Sequence, residues 1–473
     1  MKLSVAQLIE ITQGKLKNGN LQDTVDYIFY DVIKDHKPQG DFLYIPYINN
    51  YRKIDTSENI AIMKAQGAKG ILVDGSLHKD IDTGRYRFSI EVKNLEEAVI
   101  ALTKYMRNIK KLNVIAVTGS SGKTTSKELI ASILKKQNIT YKKTLRNING
   151  YGGAAHTVFG SDTNSVCVLE VGVNGLKRLP SLAKAIAPNY LLVTNIYHTH
   201  FDKFPDLFEV AKNKLSLAKH MKPPSTKVLY GDCKHLKEYI DSDTITFGQN
   251  NVNDYFIKEI TNSHAQGSTF VVSDHKSDYT IQTPLLGKHN IINCLGVFAL
   301  CKEFGVEIGA IIEGIRNFSG IKDDFYSTIS LENVEGYLFL DDSQHFNLPA
   351  LKAGLDTFID ITDKQGGVVI LSYDYKFDSV NFNTEELLLI LAERKESIKK
   401  LILIDHGWEK FKDRIETLSI QADYVLSKGE CAEHIMKTVA KGEYIYLKGD
   451  FNHHLRGIIS ILKGETNEHK GSN

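Results

Sequence analysis

The segment Val114-Ile115-Ala116-Val117-Thr118-Gly119-Ser120-Ser121-Gly122-Lys123-Thr124-Thr125 carries the clearest chemistry in the chain. A short apolar, β-branched run enters a glycine loop that opens an amphipathic helix. Gly119 and Gly122 let the backbone curl so that its N–H groups face an anion, with Ser120 and Ser121 between them. The start of the helix adds the positive end of its dipole. Lys123 can bridge the outer phosphates of a nucleotide as a point charge. The Thr124 hydroxyl can ligate Mg²⁺, and Thr125 continues the first turn. The spacing Gly-x-x-Gly-Lys-Thr-Thr is shorter than the usual Walker A loop. An ordinary strand–helix turn is the plain alternative, but the strand–loop–helix context favours nucleotide phosphate binding.

Three further groups could join that loop. Glu170 ends the apolar run Val166-Cys167-Val168-Leu169, where a carboxylate at a strand's carboxyl end suits Mg²⁺. Asn195-Ile196-Tyr197-His198-Thr199-His200 follows the next apolar run, and Lys212 and Lys214 sit on a helical pattern shortly after it. Gly287-Lys288-His289-Asn290-Ile291-Ile292-Asn293 opens a helix with Ile291, Ile292, Leu295 and Phe298 as its apolar face. A side-chain amide such as Asn293 can pair with both the donor and the acceptor on an adenine edge. For each, a bland reading exists: a surface acid, a loop histidine, a solvated lysine or a helix cap.

The elements that must position these residues alternate. Candidate strands are Val114–Val117, Val166–Val171, Leu191–Ile196, Lys227–Tyr230, Val368–Leu371, Leu401–Ile404, Tyr424–Leu426 and Tyr444–Leu447. Helical patterns lie between them, which predicts an α/β protein with mainly parallel sheets. The 473 residues, at about 150 per domain, predict roughly three domains. Boundaries are expected near Asn108–Leu112 and Asn317–Gly320, giving units 1–107, 108–318 and 319–473. With 58 Lys and Arg against 57 Asp and Glu, the net charge of +1 suggests neither a nucleic-acid nor an anionic-membrane binder. No run approaches a membrane span, and Cys167, Cys233, Cys294, Cys301 and Cys431 show no disulfide or zinc spacing. A cytoplasmic monomer is expected.

Thr118-Gly119-Ser120-Ser121-Gly122-Lys123-Thr124-Thr125 resembles the phosphate loop of the Mur ligases, three-domain enzymes that form amide bonds with ATP. The resemblance implies a central P-loop domain with a mainly parallel sheet, a Rossmann-like C-terminal domain and a small α/β N-terminal domain. It implies Mg²⁺ at two sites, with Thr124, Glu170, His200 and Lys214 as metal-site residues. Lys214 corresponds to a lysine that is carbamylated in the family. Lys123, His200 and Lys214 would be catalytic. His289 and Asn293 match the adenine segment, and Asp342, in Leu340-Asp341-Asp342-Ser343, matches a contact to the ATP ribose. Asp41–Pro46, Ala65–Val73 and Tyr446-Leu447-Lys448-Gly449 are similar to the branch that adds D-alanyl-D-alanine to UDP-muramoyl tripeptide.

The departures cluster away from the ATP half. Where that branch has Asp-Ser-Arg for the uridine nucleotide, this chain has Asp31-Val32-Ile33. An Asn-Asn pair becomes Asn149-Gly150. A Gly-Arg whose arginine contacts nucleotide phosphate falls at Asp323-Asp324, beside Lys322. Tyr-Asn after Asp-Asp-x becomes Gln344-His345. The reading is a Mur-type ligase joining small-molecule carboxylate and amine substrates, with a changed substrate. The alternatives are the housekeeping D-alanyl-D-alanine-adding enzyme and a catalytically silent ATP-binding homologue.

Overall fold

The computed structural model describes residues 2–30, 40–46, 56–76, 82–172, 179–197, 204, 206–323, 326–343, 346–372, 384–449 and 455–465. Three large sheets follow one another along the chain. The first has five strands, in the order Lys15–Asn18, Phe88–Val92, Ala68–Asp74, Phe42–Ile45, Tyr27–Tyr30. Only its Lys15–Asn18 edge is antiparallel. The expected α/β class is present from the start of the chain.

The helix Leu95–Ile109 leads from this sheet into the next. Asn94 caps it by accepting from the Glu97 amide, and Glu96 and Glu97 complement the dipole in its first turn. Its apolar stripe of Leu95, Ala98, Val99, Leu102 and Met106 is buried in a core that also holds Ile28, Leu72, Val114, Leu169 and Ile186. The first two sheets therefore share one apolar core. Two cations on that helix fix the joint. Arg107 Nε donates to the Ile186 carbonyl at 3.1 Å, and its Nη2 reaches Ala187 O and Asn189 Oδ1 at 2.9 Å each. Lys110 Nζ donates to the carbonyls of Phe159 and Ser161 at 2.6 and 2.7 Å. Each cation thus caps the carboxyl end of another helix, where orphan carbonyls gather.

The central sheet has nine strands. Six are Thr244–Gly248, Thr226–Tyr230, Tyr190–Val193, Asn113–Thr118, Val166–Glu170 and Tyr141–Lys143, all parallel in that spatial order. The other three, Tyr255–His264, Gly267–Ser273 and Asp278–Thr283, add an arm beyond Thr244–Gly248: the first joins that strand in parallel, and the three run antiparallel to one another. That arm was not expected from the sequence. Its strands carry many polar residues because one face is solvated, so no continuous apolar run announces them. The strand Asn113–Thr118 lies between Val166–Glu170 and Tyr190–Val193, and the chain changes direction across the sheet there. Ligands bind such sheets in the crevice at this switch point, outside the carboxyl ends of the strands.

The third sheet runs Ser330–Val334, Tyr337–Asp342, Tyr444–Lys448, Gly367–Ser372, Ile398–Ile404, Ala422–Val425, parallel except at Ser330–Val334. Apolar clusters cover both faces, as a Rossmann-like sheet requires. Three expected strands end early. Val166–Val171 stops at Glu170, Leu191–Ile196 at Val193 and Tyr424–Leu426 at Val425. The residues after Val193 leave the sheet to bind the phosphate loop. Among the described residues, no helix is long and apolar enough to cross a membrane.

Candidate active site

Gly119 takes φ +148° and Gly122 φ +76°, and both positions are crowded. A Cβ on Gly119 would fall 1.9 Å from Thr194 Oγ1, and one on Gly122 would fall 2.4 Å from Asn293 Oδ1. Only glycine lets the loop bend this close to both neighbours. Gly122 then caps the helix Lys123–Lys136 without a side chain, so the amides of its first turn are left to an incoming anion. The loop's earlier amides are engaged instead. Ser120 N donates to Asn195 O at 3.0 Å, and Ser121 N donates to Asn195 Oδ1 at 2.9 Å. Asn195 Nδ2 returns bonds to Ser121 O and Oγ at 3.2 and 3.1 Å, and Thr194 Oγ1 donates to Ser121 O at 2.6 Å. This lacing divides the loop into a part held by protein and a part facing the crevice.

Glu170 stands at the carboxyl end of the neighbouring strand and is buried. Its Oε2 accepts from Thr124 Oγ1 at 2.9 Å, and its Oε1 accepts from Asn149 Nδ2 at 3.1 Å. Lys127, one turn into the loop helix and fully enclosed, lies 3.6 Å from Oε2. Lys127 also meets Glu128 at 3.3 Å and donates to the Arg146 carbonyl. Glu170 and the Thr124 hydroxyl supply hard oxygen donors from two adjacent elements. That pair suits Mg²⁺, which takes few protein ligands and completes its shell with water and substrate phosphate.

Two lysines converge beneath the loop. Lys123 Nζ and Lys214 Nζ each donate to the Gly119 carbonyl at 2.9 Å, and Lys123 also reaches Ser120 O at 3.1 Å. Burial pushes the Lys123 amine below the ordinary lysine range, while Glu170 pulls it back up. Lys214, 2% exposed, is pushed well down by burial and further by the charge of Lys123. Lys212 is the opposite case. Its Nζ pairs with Glu209 at 2.8 Å on the exposed face of the same helix, Leu207–Leu215, and Glu209 raises it. His200 and His198 lie outside the described residues.

The rest of the crevice comes from the helix Lys288–Glu303, which packs on the central sheet, and from the third sheet. Asn293 sits against Gly122 and donates to Asn290 Oδ1 at 3.1 Å. Asn290 in turn donates to Leu286 O at 2.8 Å, so it is part of this chain of amides and not a simple cap. Burial holds the His289 imidazole below its usual range, and Asp342 opposes that shift across the gap. Asp342 ends the strand Tyr337–Asp342 and accepts from Tyr446 and Lys448. Lys288 pairs with Asp360 at 3.1 Å, tying the two walls together. The structure therefore brings the loop, Glu170, Lys214, Asn293, His289 and Asp342 around one crevice.

Residues 117–301 match the description Mur ligase middle domain. A UDP-N-acetylmuramoyl-tripeptide--D-alanyl-D-alanine ligase from Haemophilus influenzae is 28% identical over 363 residues, covering 75% of this chain and 76% of that protein. The protein of the same name from Bacillus subtilis is 26% identical, covering 75% of each. In fold, the chain is similar to MurF from Acinetobacter baumannii, at TM-score 0.81 and 20% identity, over 98% of this chain and 99% of that one. MurF ligase from Thermotoga maritima in complex with ADP gives TM-score 0.74 at 16% identity, over 93% and 98%. Residues 117–301 are a Mur ligase middle domain, and the chain is similar to Mur ligases over most of its length. It is accordingly an amide-forming ligase that uses ATP and Mg²⁺.

Several residues that shape the crevice have no role assigned to them from sequence. Asn195 and Asn149 are single amides that meet the loop and Glu170 only after folding. Lys127 looks in sequence like any charged helix residue. Tyr446 and Lys448 share one face of a strand by period-two alternation, a signal visible in sequence but without a partner until the neighbouring strand is known. Of the departures noted above, Asp31, Val32, Ile33, Asp324, Gln344 and His345 lie outside the described residues, as does the Lys322 side chain.

Proposed function

We propose that this Mur ligase activates a substrate carboxylate with ATP and couples it to an amine, with an acid other than UDP-muramoyl tripeptide as its efficient substrate. Its units would be an acid-binding region at 1–107, an ATP-binding region at 108–318 and an amine-binding, closing region at 319–473. The observation that carries the ATP half is the meeting of Lys123, Glu170 and Lys214 at the switch point of the central sheet. The γ-phosphoryl group passes to the carboxylate, giving an acyl phosphate and ADP. A neutral amine then attacks the acyl carbon, phosphate leaves, and the amine's proton is lost. The helix amides after Gly122 and the Lys123 ammonium would hold the phosphates in line. Mg²⁺, at two sites that include Thr124, Glu170, His200 and Lys214, would neutralise developing charge on the transferred group.

Lys214 fits the carbamylated lysine of this scheme. Two ammonium groups on one carbonyl repel each other, and burial favours a neutral amine at Lys214. A neutral amine adds CO₂, forming an N–C bond and releasing one proton. The product is a carboxylate beside Lys123, which turns the repulsion into an attraction. Asn293 and His289 would face adenine and Asp342 the ribose. A cytoplasmic monomer is the setting we infer.

The substrate reading rests on Val32 and Ile33, which lack the hydroxyl and guanidinium of a Ser-Arg pair, together with Gln344 and His345 in place of Tyr-Asn, where the amine would dock. Each lost bond to a charged group costs about 1.5–3 kcal/mol. Steady-state assays with UDP-muramoyl tripeptide, D-alanyl-D-alanine and ATP test it. We expect kcat/KM below about 10⁴ M⁻¹s⁻¹, and a value at or above that restores the D-alanyl-D-alanine-adding assignment.

A further inference from the structure

Asp342 is a carboxylate with its two oxygens in different circumstances. Oδ2 accepts from Tyr446 OH and from Lys448 Nζ, each at 2.8 Å. The three residues meet through strand register: Asp342 is directly opposite Lys448 in the parallel pair, and Leu340 is opposite Tyr446. Tyr446 and Lys448, two apart, therefore project to the same face as Asp342. Both donors are enclosed, Lys448 at 2% exposure, while the Asp342 side chain remains 23% exposed toward the crevice.

The helix Leu348–Ile361 makes room for this arrangement. At Gly354 a Cβ would lie 2.0 Å from Tyr446 OH and 2.5 Å from Asp342 Oδ2. One turn further along the same helix, Phe358 packs on the Tyr446 ring, at 5.7 Å between centroids. A buried ammonium and a buried hydroxyl converging on one oxygen fix the rotation of the carboxyl group. The second oxygen, Oδ1, is then the acceptor offered to a ligand. A rotating carboxylate would lose rotamer freedom on binding, whereas this one is already ordered.

We propose that Tyr446 and Lys448 are positioning residues that saturate Asp342 Oδ2 and so direct Oδ1 at a ribose hydroxyl of the nucleotide. The proposal rests on the reading of Asp342 as the ribose contact, and it adds what makes that contact selective. It implies that the two residues govern discrimination between ribo- and deoxyribonucleotides, and leave affinity for the rest of ADP unchanged.

The test compares dissociation constants for ADP, 2′-deoxy-ADP and 3′-deoxy-ADP by calorimetry on the full chain with Mg²⁺, in wild type, Tyr446→Phe and Lys448→Met. Tyr446→Phe keeps the ring against Phe358 and removes only the hydroxyl. We expect wild type to prefer ADP over at least one deoxy form. Tyr446→Phe should reduce that preference by about threefold to tenfold, the scale of one hydrogen bond, with Lys448→Met at least as large. Affinity for the disfavoured deoxy form should stay within about twofold of wild type. Equal weakening of ADP and the deoxy forms, or an unchanged ratio in both variants, overturns the positioning role. Absence of any preference in wild type overturns the ribose reading itself, and the proposal with it.

Discussion

Lys123 and Lys214 set two amine nitrogens against the one carbonyl of Gly119, and the chemistry of the site follows from how that repulsion is relieved. Lys123→Ala should lower ATP-dependent turnover by about 10³-fold or more, the scale of a removed transition-state cation, with the fold kept. Near-wild-type turnover would remove the phosphate-loop assignment. Lys214→Ala should be inactive and regain part of its rate with added short-chain carboxylates, read in the same assay. No rescue at any carboxylate concentration would count against the carbamate. The direction of the Lys214 shift also sets a stability slope. Unmodified, its amine gives up its proton at lower pH in the fold than when unfolded, so across that window the unfolded chain binds more protons. Stability then rises with pH toward the ordinary lysine range and falls as pH drops. Urea melts in CO₂-free buffer should show that slope, flattened in Lys214→Met; identical slopes would contradict the burial argument. At this scale the sequence reveals what is local. The glycine loop, Glu170 at a strand end and Asp342 in an Asp-Asp pair are legible because neighbours in sequence are neighbours in space. Lys212 and Lys214 are not separable by type, and only the face of the helix tells them apart. The roles of Asn149 and Lys127 stay hidden because Glu170, their common partner, is distant in sequence.

Strand ends explain where element-level reading goes astray. The apolar run Leu191-Leu192-Val193 predicts a strand through Ile196, yet pairing stops at Val193. Thr194 and Asn195 satisfy their polar groups on the phosphate loop instead, and that competition is invisible until the adjacent strand is placed. The same lacing yields a prediction. Asn195→Ala removes bonds to Ser121 worth about 0.5–1.5 kcal/mol each, and should weaken ADP binding by roughly fivefold to a hundredfold. Calorimetry with ADP checks it, and unchanged affinity would mean the loop holds its shape without Asn195. The antiparallel arm Tyr255–Thr283 escapes sequence reading for another reason. Its exposed face breaks the apolar runs that announce the buried parallel strands.

The three sheets are not joined alike. The first two share an apolar core, and Arg107 and Lys110 lock the connecting helix onto two other helix ends. Arg107→Met should leave the Ile186 and Ala187 carbonyls without a donor, costing about 1.5–3 kcal/mol in chemical denaturation, while nucleotide affinity persists. A loss under about 0.5 kcal/mol would show that water replaces the guanidinium. The third sheet meets the second beside the crevice, through the polar pair Lys288–Asp360 and through Leu286, which is buried in the third sheet's core. Alternating α/β order was readable from the apolar runs; which sheets share a core was not, because that depends on the inward face of one helix. The central claim is that this molecule drives amide formation with ATP. ADP release should be measured from ATP and Mg²⁺ with a panel of carboxylate substrates, UDP-muramoyl peptides and acids without a uridine nucleotide among them, with and without amino-acid or dipeptide amines. The account predicts release only when an acid and an amine are both present. Release indifferent to the amine, or nucleotide binding with no release under any pairing, would contradict it.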